Sequence, residues 1–262
     1  MKWFKGFLIN VQFFTSIPIP FALPMDREHL DRAMKTFPLL GLLLGGIVTS
    51  LLYIILVWTP LSPLAAAFLI WLAGIVLTGG IHLDGWIDCS DAFFSYQDRG
   101  KRLEIMKDPR TGAFGVLSVI IILAAKFLFI YEIILMIQPF SYVYILLLPF
   151  FSRMVMGVLL LRVPSAKNDG LGQMFKSSAG KGTLAIYGLY AGLFLAIAAS
   201  FGQTLPFALI LMVVCFLAVL YLKQKILSWF GGLTGDVLGA SVEGTELLLW
   251  MTLWLLHYTV MG

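Results

Sequence analysis

Seven stretches of this chain stay apolar for long enough to cross a bilayer, and nothing constrains the fold more. A helix needs about 20 residues, at 1.5 Å each, to cover roughly 30 Å of hydrocarbon. Residues 38–58, 63–83, 113–135, 139–161, 183–201, 204–222 and 236–258 reach that length. Inside lipid the backbone must satisfy its own hydrogen bonds, and segments of this kind do so as helices. The composition points the same way: 60% of the residues are hydrophobic and 12% are charged, against about a quarter charged in soluble domains. The expectation is all-α: a polytopic integral membrane helix bundle of about seven transmembrane helices, one membrane-embedded domain over 1–262.

The basic residues orient that bundle. Lys2, Lys5, Arg27, Arg32 and Lys35 precede the first run, and Arg99, Lys101, Arg102, Lys107 and Arg110 separate the second from the third. Arg162, Lys167, Lys176 and Lys181 follow the fourth, and Lys223 and Lys225 follow the sixth. The turns near 59–62, 136–138 and 200–204, and the C-terminus, carry no Lys or Arg. Positive charge collects on the cytoplasmic side, so the N-terminus and the long polar loops are expected there and the C-terminus outside. The net charge of +4 therefore reflects topology and contact with anionic membrane lipid; no nucleic acid is implied.

Residues 1–36 are expected to be an N-terminal interfacial helix and linker. Trp3, Phe4, Phe7, Leu8, Val11 and Phe14 share one helical face, while Asn10, Gln12, Thr15 and Ser16 interrupt any signal-peptide core. Prolines at 18, 20 and 24 end it. Cys89 and Cys215, far apart and unpatterned, suggest neither a disulfide framework nor a zinc site.

Chemistry concentrates where the second run ends, in Gly79-Gly80-Ile81-His82-Leu83-Asp84-Gly85-Trp86-Ile87-Asp88-Cys89-Ser90-Asp91. Asp84, Asp88 and Asp91 stand at i, i+4 and i+7, one face of a helix. Carboxylates that close repel unless a cation lies between them, and Mg²⁺ takes oxygen ligands from a few carboxylates and substrate phosphates. A solvated acidic loop is the plain alternative. Downstream, 99–110 reads as a short amphipathic helix stopped by Pro109, carrying Arg102, Glu104, Asp108 and Arg110. Arg forks suit phosphate oxygens, although juxtamembrane salt bridges would use the same residues, and Glu104 and Asp108 fit an i,i+4 pair as well as a ligand role. Asp236 opens the last run, with Glu243 and Glu246 following on a face that enters the bilayer, where carboxylates face a cavity or a partner. Arg153, deep in the fourth run, needs an acidic partner or a phosphate, and Lys126 in the third can snorkel or pair. His82 is either a satisfied helix-end histidine or a base.

Asn168-Asp169-Gly170-Leu171-Gly172 and Gly231-Gly232-Leu233-Thr234-Gly235-Asp236 are glycine-rich turns expected on the same side as the acids, able to cradle phosphate. The run ending Gly180-Lys181-Gly182 fails the P-loop pattern, lacking the earlier glycine and the following Ser or Thr.

Taken together the long motifs resemble the cobalamin synthase (adenosylcobinamide-GDP ribazoletransferase) family. They are Gly-Gly-x-His-Leu-Asp-Gly-x-x-Asp-x-x-Asp from Gly79, Leu103-Glu104-Ile105-Met106-Lys107-Asp108-x-Arg110-x-Gly112, and Gly232-x-Thr234-Gly235-Asp236-x-Leu238-Gly239-Ala240 with Glu243 and Glu246. Phe37-Pro38-Leu39-x-Gly41, Ser152-Arg153 and Gly170-Leu171-Gly172 extend the match over most of the chain. The resemblance implies a Mg²⁺-dependent phosphotransferase of the bacterial or archaeal cytoplasmic (inner) membrane. It joins adenosylcobinamide-GDP with α-ribazole or its 5′-phosphate and releases GMP. It further implies that Asp84, Asp88 and Asp91 hold metal, joined by Asp236 or Glu243, and that Asp108 or Asp236 completes the shell or takes the hydroxyl proton. Arg102, Arg110 and Arg153 become candidates for phosphate, Glu104 and Glu246 for substrate, and His82 for catalysis. UbiA-type prenyltransferases and CDP-alcohol phosphotransferases are enzyme rivals with differently worded acidic motifs. A channel or transporter would want ionisable groups at the midplane and a repeat. Small residues throughout the spans are compatible with a homo-oligomer.

Overall fold

In the computed structural model, residues 1–95, 98–166, 170–200 and 204–261 are described; Asn168 and Asp169 of the first glycine-rich turn, Lys167, and most of the 200–204 turn lie outside them. Every named element is helical. α1 (Lys2–Phe14) lies against the start of α2 (Arg27–Trp58), so closely that a Cβ on Gly6 would stand 2.7 Å from Arg32 Cβ. Asn10 Nδ2 seals that joint by donating to the Ala33 carbonyl at 2.8 Å and the Thr36 hydroxyl at 3.0 Å. Trp3 and Phe4 on α1 remain exposed, while Val11 of the same expected face is buried with Leu40 and Leu44 of α2.

α2 differs from expectation by starting eleven residues before the first apolar run, at Arg27 rather than 38. Asp26 caps it, accepting from the Glu28 and His29 amides at 3.0 and 3.1 Å, so the expected linker joins the span. Pro38 then sits inside the helix, where a proline removes the hydrogen bond to the carbonyl four residues back. That carbonyl, Met34 O, accepts instead from the Tyr187 hydroxyl at 2.5 Å. Further along, a Cβ on Gly41 would fall 2.5 Å from Phe150 Cα and one on Gly45 2.7 Å from the Leu146 carbonyl carbon. These glycines set α2 backbone to backbone against α7 (Ser141–Arg162), the small-residue packing that lipid favours.

The second run is not one straight span. α3 (Pro63–Thr78) stops at Gly79 and Gly80, both left-handed at φ +62° and +74°, and α4 (Ile81–Ser95) leaves at 88° to it. Two consecutive residues in that region are inexpensive only for glycine. Ser16 covers the exposed end of α3, its amide donating to Leu77 O at 2.9 Å and its hydroxyl to Val76 O at 2.6 Å. α4 then runs across the first turns of α6 (Ala113–Leu135) and α11 (Gly235–Leu256).

α5 (Arg99–Ile105) and α8 (Leu171–Ser178) are short, and α9 (Thr183–Ser200) and α10 (Leu205–Phe230) complete the bundle. Among the described residues five helices, α2, α6, α7, α9 and α10, are long and apolar enough to cross a membrane, six with α3 and α4 counted as one bent span. α11, expected as the seventh, has 22 residues, about 33 Å. It falls outside that set because Asp236, Glu243 and Glu246 make its first half polar.

Candidate active site

The 88° bend carries the acidic face of α4 onto the start of α11. A Cβ on Gly85 would stand 2.5 Å from the Asp236 carbonyl oxygen, and one on Gly239 3.3 Å from His82 Cα. On α6, Gly115 meets Ile87 at 2.9 Å by the same measure, and any side chain on Gly112 would overlap the Asp91 carboxylate. Four glycines therefore let α4 sink against two helices. The Thr234 hydroxyl caps α11 by accepting from Val237 N at 3.1 Å, placing Asp236 in the first turn, where the helix dipole favours negative charge. Behind Thr234, Ser165 and Leu233 form an isolated parallel bridge, with Ala166 N to Leu233 O and Leu233 N to Pro164 O both 2.8 Å.

Asp84 is exposed, while Asp88, Asp91 and Asp236 are half-buried. Partial burial first, then the charges of Asp84, Asp236 and Asp91, push the Asp88 carboxyl up to about 6. Four carboxylates from two helices thus share one patch, and their mutual repulsion is the local imbalance a divalent cation would relieve. Among the described residues no three His, Cys, Asp or Glu side chains are drawn into a ready-made metal cage. This donor chemistry still fits magnesium, which takes one or two carboxylates and completes its shell with water and phosphate. Cys89 is buried, its thiol pushed well up by burial first and then by the charges of Asp236 and Asp88, as an unreactive spacer would be.

A second polar layer lies deeper, between α6, α7 and α11. Lys126 Nζ reaches Glu243 Oε2 at 2.5 Å and Glu246 Oε2 at 3.2 Å. Arg153 donates to Glu246 and, at 2.8 Å, to the Ser152 hydroxyl, which itself donates to Glu246 Oε1 at 3.2 Å. Two cations and two carboxylates cancel, as burial in lipid demands. A cavity of about 70 Å³ lined by Lys126, Glu243, Glu246, Thr78 and Leu83 adjoins this layer. His82 is buried and stacked on Phe14 at 6.2 Å, and among the described residues its Nε2 has no hydrogen-bond partner.

The other candidates are placed elsewhere. Asp108 and Arg110 turn onto each other at 2.7 Å, and the hydrogen bonds from Arg110 bring the Asp108 carboxyl down to about 2. Glu104 is exposed on α5. The Arg102 guanidinium lies over the Phe93 ring and donates to Trp229 O at 3.0 Å, fastening α5 to α10. Reading the residues alone brought Glu243 and Glu246 together but left Lys126 as a snorkelling or pairing lysine. Its partners lie over a hundred residues away, and local spacing carries no sign of them. The glycines flanking the acids at 85, 112 and 115 were the available signal for close helix approach.

Residues 6–254 match the family model described as Cobalamin-5-phosphate synthase. A protein of Geobacillus sp. (strain WCH70) named "Adenosylcobinamide-GDP ribazoletransferase" is 39% identical over 98% of both chains. Proteins with that name from Escherichia coli O45:K1 (strain S88 / ExPEC) and Clostridioides difficile (strain 630) are 36% and 31% identical, covering 95% and 97% of this chain and 99% and 98% of their own. No solved structure matches. With the match running across α1 to α11 and taking in both acidic helices, the chain belongs to the cobalamin-5-phosphate synthase family.

Proposed function

We propose that this chain joins adenosylcobinamide-GDP with α-ribazole or α-ribazole 5′-phosphate, giving adenosylcobalamin or its 5′-phosphate and GMP. It does so at the cytoplasmic face of the cell membrane. The observation that carries the reading is the meeting of α4 and α11, which gathers Asp84, Asp88, Asp91 and Asp236 beside basic loops. The relatives' shared name supplies the substrates.

In this reading an oxygen of the ribazole forms a bond to the phosphorus bearing the cobinamide. The bond from that phosphorus to the bridging oxygen breaks, and GMP leaves with the electron pair. Asp84, Asp88 and Asp91 would hold magnesium, which when bound neutralises diphosphate charge and eases departure of GMP. Asp236, at the head of α11, accepts the proton of the attacking hydroxyl. Arg110, exposed and paired with Asp108, exchanges that carboxylate for a substrate phosphate. Arg102 supports α5 through carbonyls, and Arg153, Glu243 and Glu246 hold α7, α6 and α11 in register. His82 stays a neutral contact beneath Asp84.

Detergent-purified protein offered GDP-cobinamide, α-ribazole and Mg²⁺ should release GMP in step with product, and a chelator should stop it. Failure to form GMP under these conditions, with prenyl diphosphate turned over instead, would overturn the assignment.

A further inference from the structure

Away from the acidic patch, α7 and α10 enclose a groove of about 390 Å³. The two helices start together, the Tyr144 hydroxyl donating to the Thr204 carbonyl at 3.2 Å and Phe140 stacking on Phe207 at 6.5 Å. Arg162 and Lys223 both line the groove at their other ends, so the helices run parallel. The lining residues recur at a constant interval along the two helices: Phe151 and Met212, Val158 and Val219, Arg162 and Lys223. Eleven residues separate the first pair from the last, about 16 Å along the helix axes, half of the roughly 30 Å hydrocarbon core. The walls are apolar throughout, and both cations stand at the same end. Arg162 and Lys223 are exposed, and among the described residues neither takes part in a hydrogen bond or ion pair. A groove one leaflet deep, capped by two cations, is complementary to one kind of molecule.

We propose that this groove seats an anionic phospholipid, its phosphate between Arg162 and Lys223 and one acyl tail along Val158, Val219 and Phe216. Its leaflet is the one on the side of the acidic patch, since Arg162 ends α7 there. Each basic residue near a membrane surface strengthens binding to anionic lipid by about fivefold, so the pair gives a preference of about 25-fold over a zwitterionic lipid. The seat bears on the site through α7: Phe151 lines the groove, while the next two residues, Ser152 and Arg153, belong to the buried ion network. A different groove of about 560 Å³ on the far face of α4 also has a lysine, Lys225, but that cation already lies over the Trp229 and Tyr221 rings at 5.1 and 5.5 Å.

Full-length protein in neutral detergent should be titrated with phosphatidylglycerol, phosphatidylcholine or inorganic phosphate, with bound lipid counted by native mass spectrometry and melting temperature recorded. Phosphatidylglycerol should bind about 25-fold tighter than phosphatidylcholine and raise the melting temperature, while inorganic phosphate does neither. Arg162→Gln/Lys223→Gln should erase the preference, Val158→Trp should block retention of one lipid per chain, and Lys225→Gln should change nothing. Equal binding of the two lipids by the unaltered protein, an equal effect of phosphate alone, or loss of preference with Lys225→Gln would overturn the proposal. The first two comparisons need no variant to fold.

Discussion

Asp88 illustrates how one residue reports on its neighbours. An unfolded aspartate titrates near 3.9, whereas Asp88 titrates near 6 because burial and three other carboxylates disfavour its charge. The folded chain therefore keeps this proton where the unfolded chain has lost it. Stability contributed at this site is full below about pH 4 and is lost as pH rises through 6. In chelator-treated protein the melting temperature should climb as pH falls from 7.5 to 5, and Asp88→Asn should flatten that slope. For activity, Asp84→Asn should lower GMP release by at least about 100-fold, the usual scale for removing a charge-stabilising group. Lys107→Ala, a change to an exposed lysine, should stay within about threefold; an equal loss there would reassign the phosphate contacts.

At the scale of elements, the i, i+4, i+7 spacing of the acids made α4 legible, and the structure carries all three on one helix. The bend before it was harder to see. Gly79-Gly80 is a turn signal, but it lies inside an unbroken apolar run, and hydropathy measures length without direction. The start of α2 was missed because 27–37 is polar enough to read as a linker, while its cap and its packing against α1 decide that it is helical. Whether two helices touch backbone to backbone is likewise settled by glycines that composition treats as generic. Gly85→Ala should separate α4 from α11, costing about 1–3 kcal/mol of stability and most of the activity, because the added methyl meets the Asp236 carbonyl. Gly46→Ala in α2, which meets nothing within 4 Å, should leave activity unchanged and hold or raise the melting temperature.

For the whole molecule, the sequence made clear that Arg153 needed a partner and that Glu243 and Glu246 faced inward. It could not say that one network would satisfy all of them, since pairing depends on which helices become neighbours. Lys126→Met should destabilise the protein by about 3–5 kcal/mol by leaving Glu243 charged and alone, seen as a large drop in melting temperature. Adding Glu243→Gln should recover a substantial part of that loss; two additive penalties would mean that the residues do not interact.

That network also imposes an order on biogenesis. The ribosome makes Lys126 and Arg153 well before Glu243 and Glu246, so a nascent chain exposes two orphan cations until its final hairpin is inserted. A product truncated before α11 would keep that defect permanently. Unneutralised charge at membrane depth is then a built-in mark by which quality-control proteases could recognise unfinished copies.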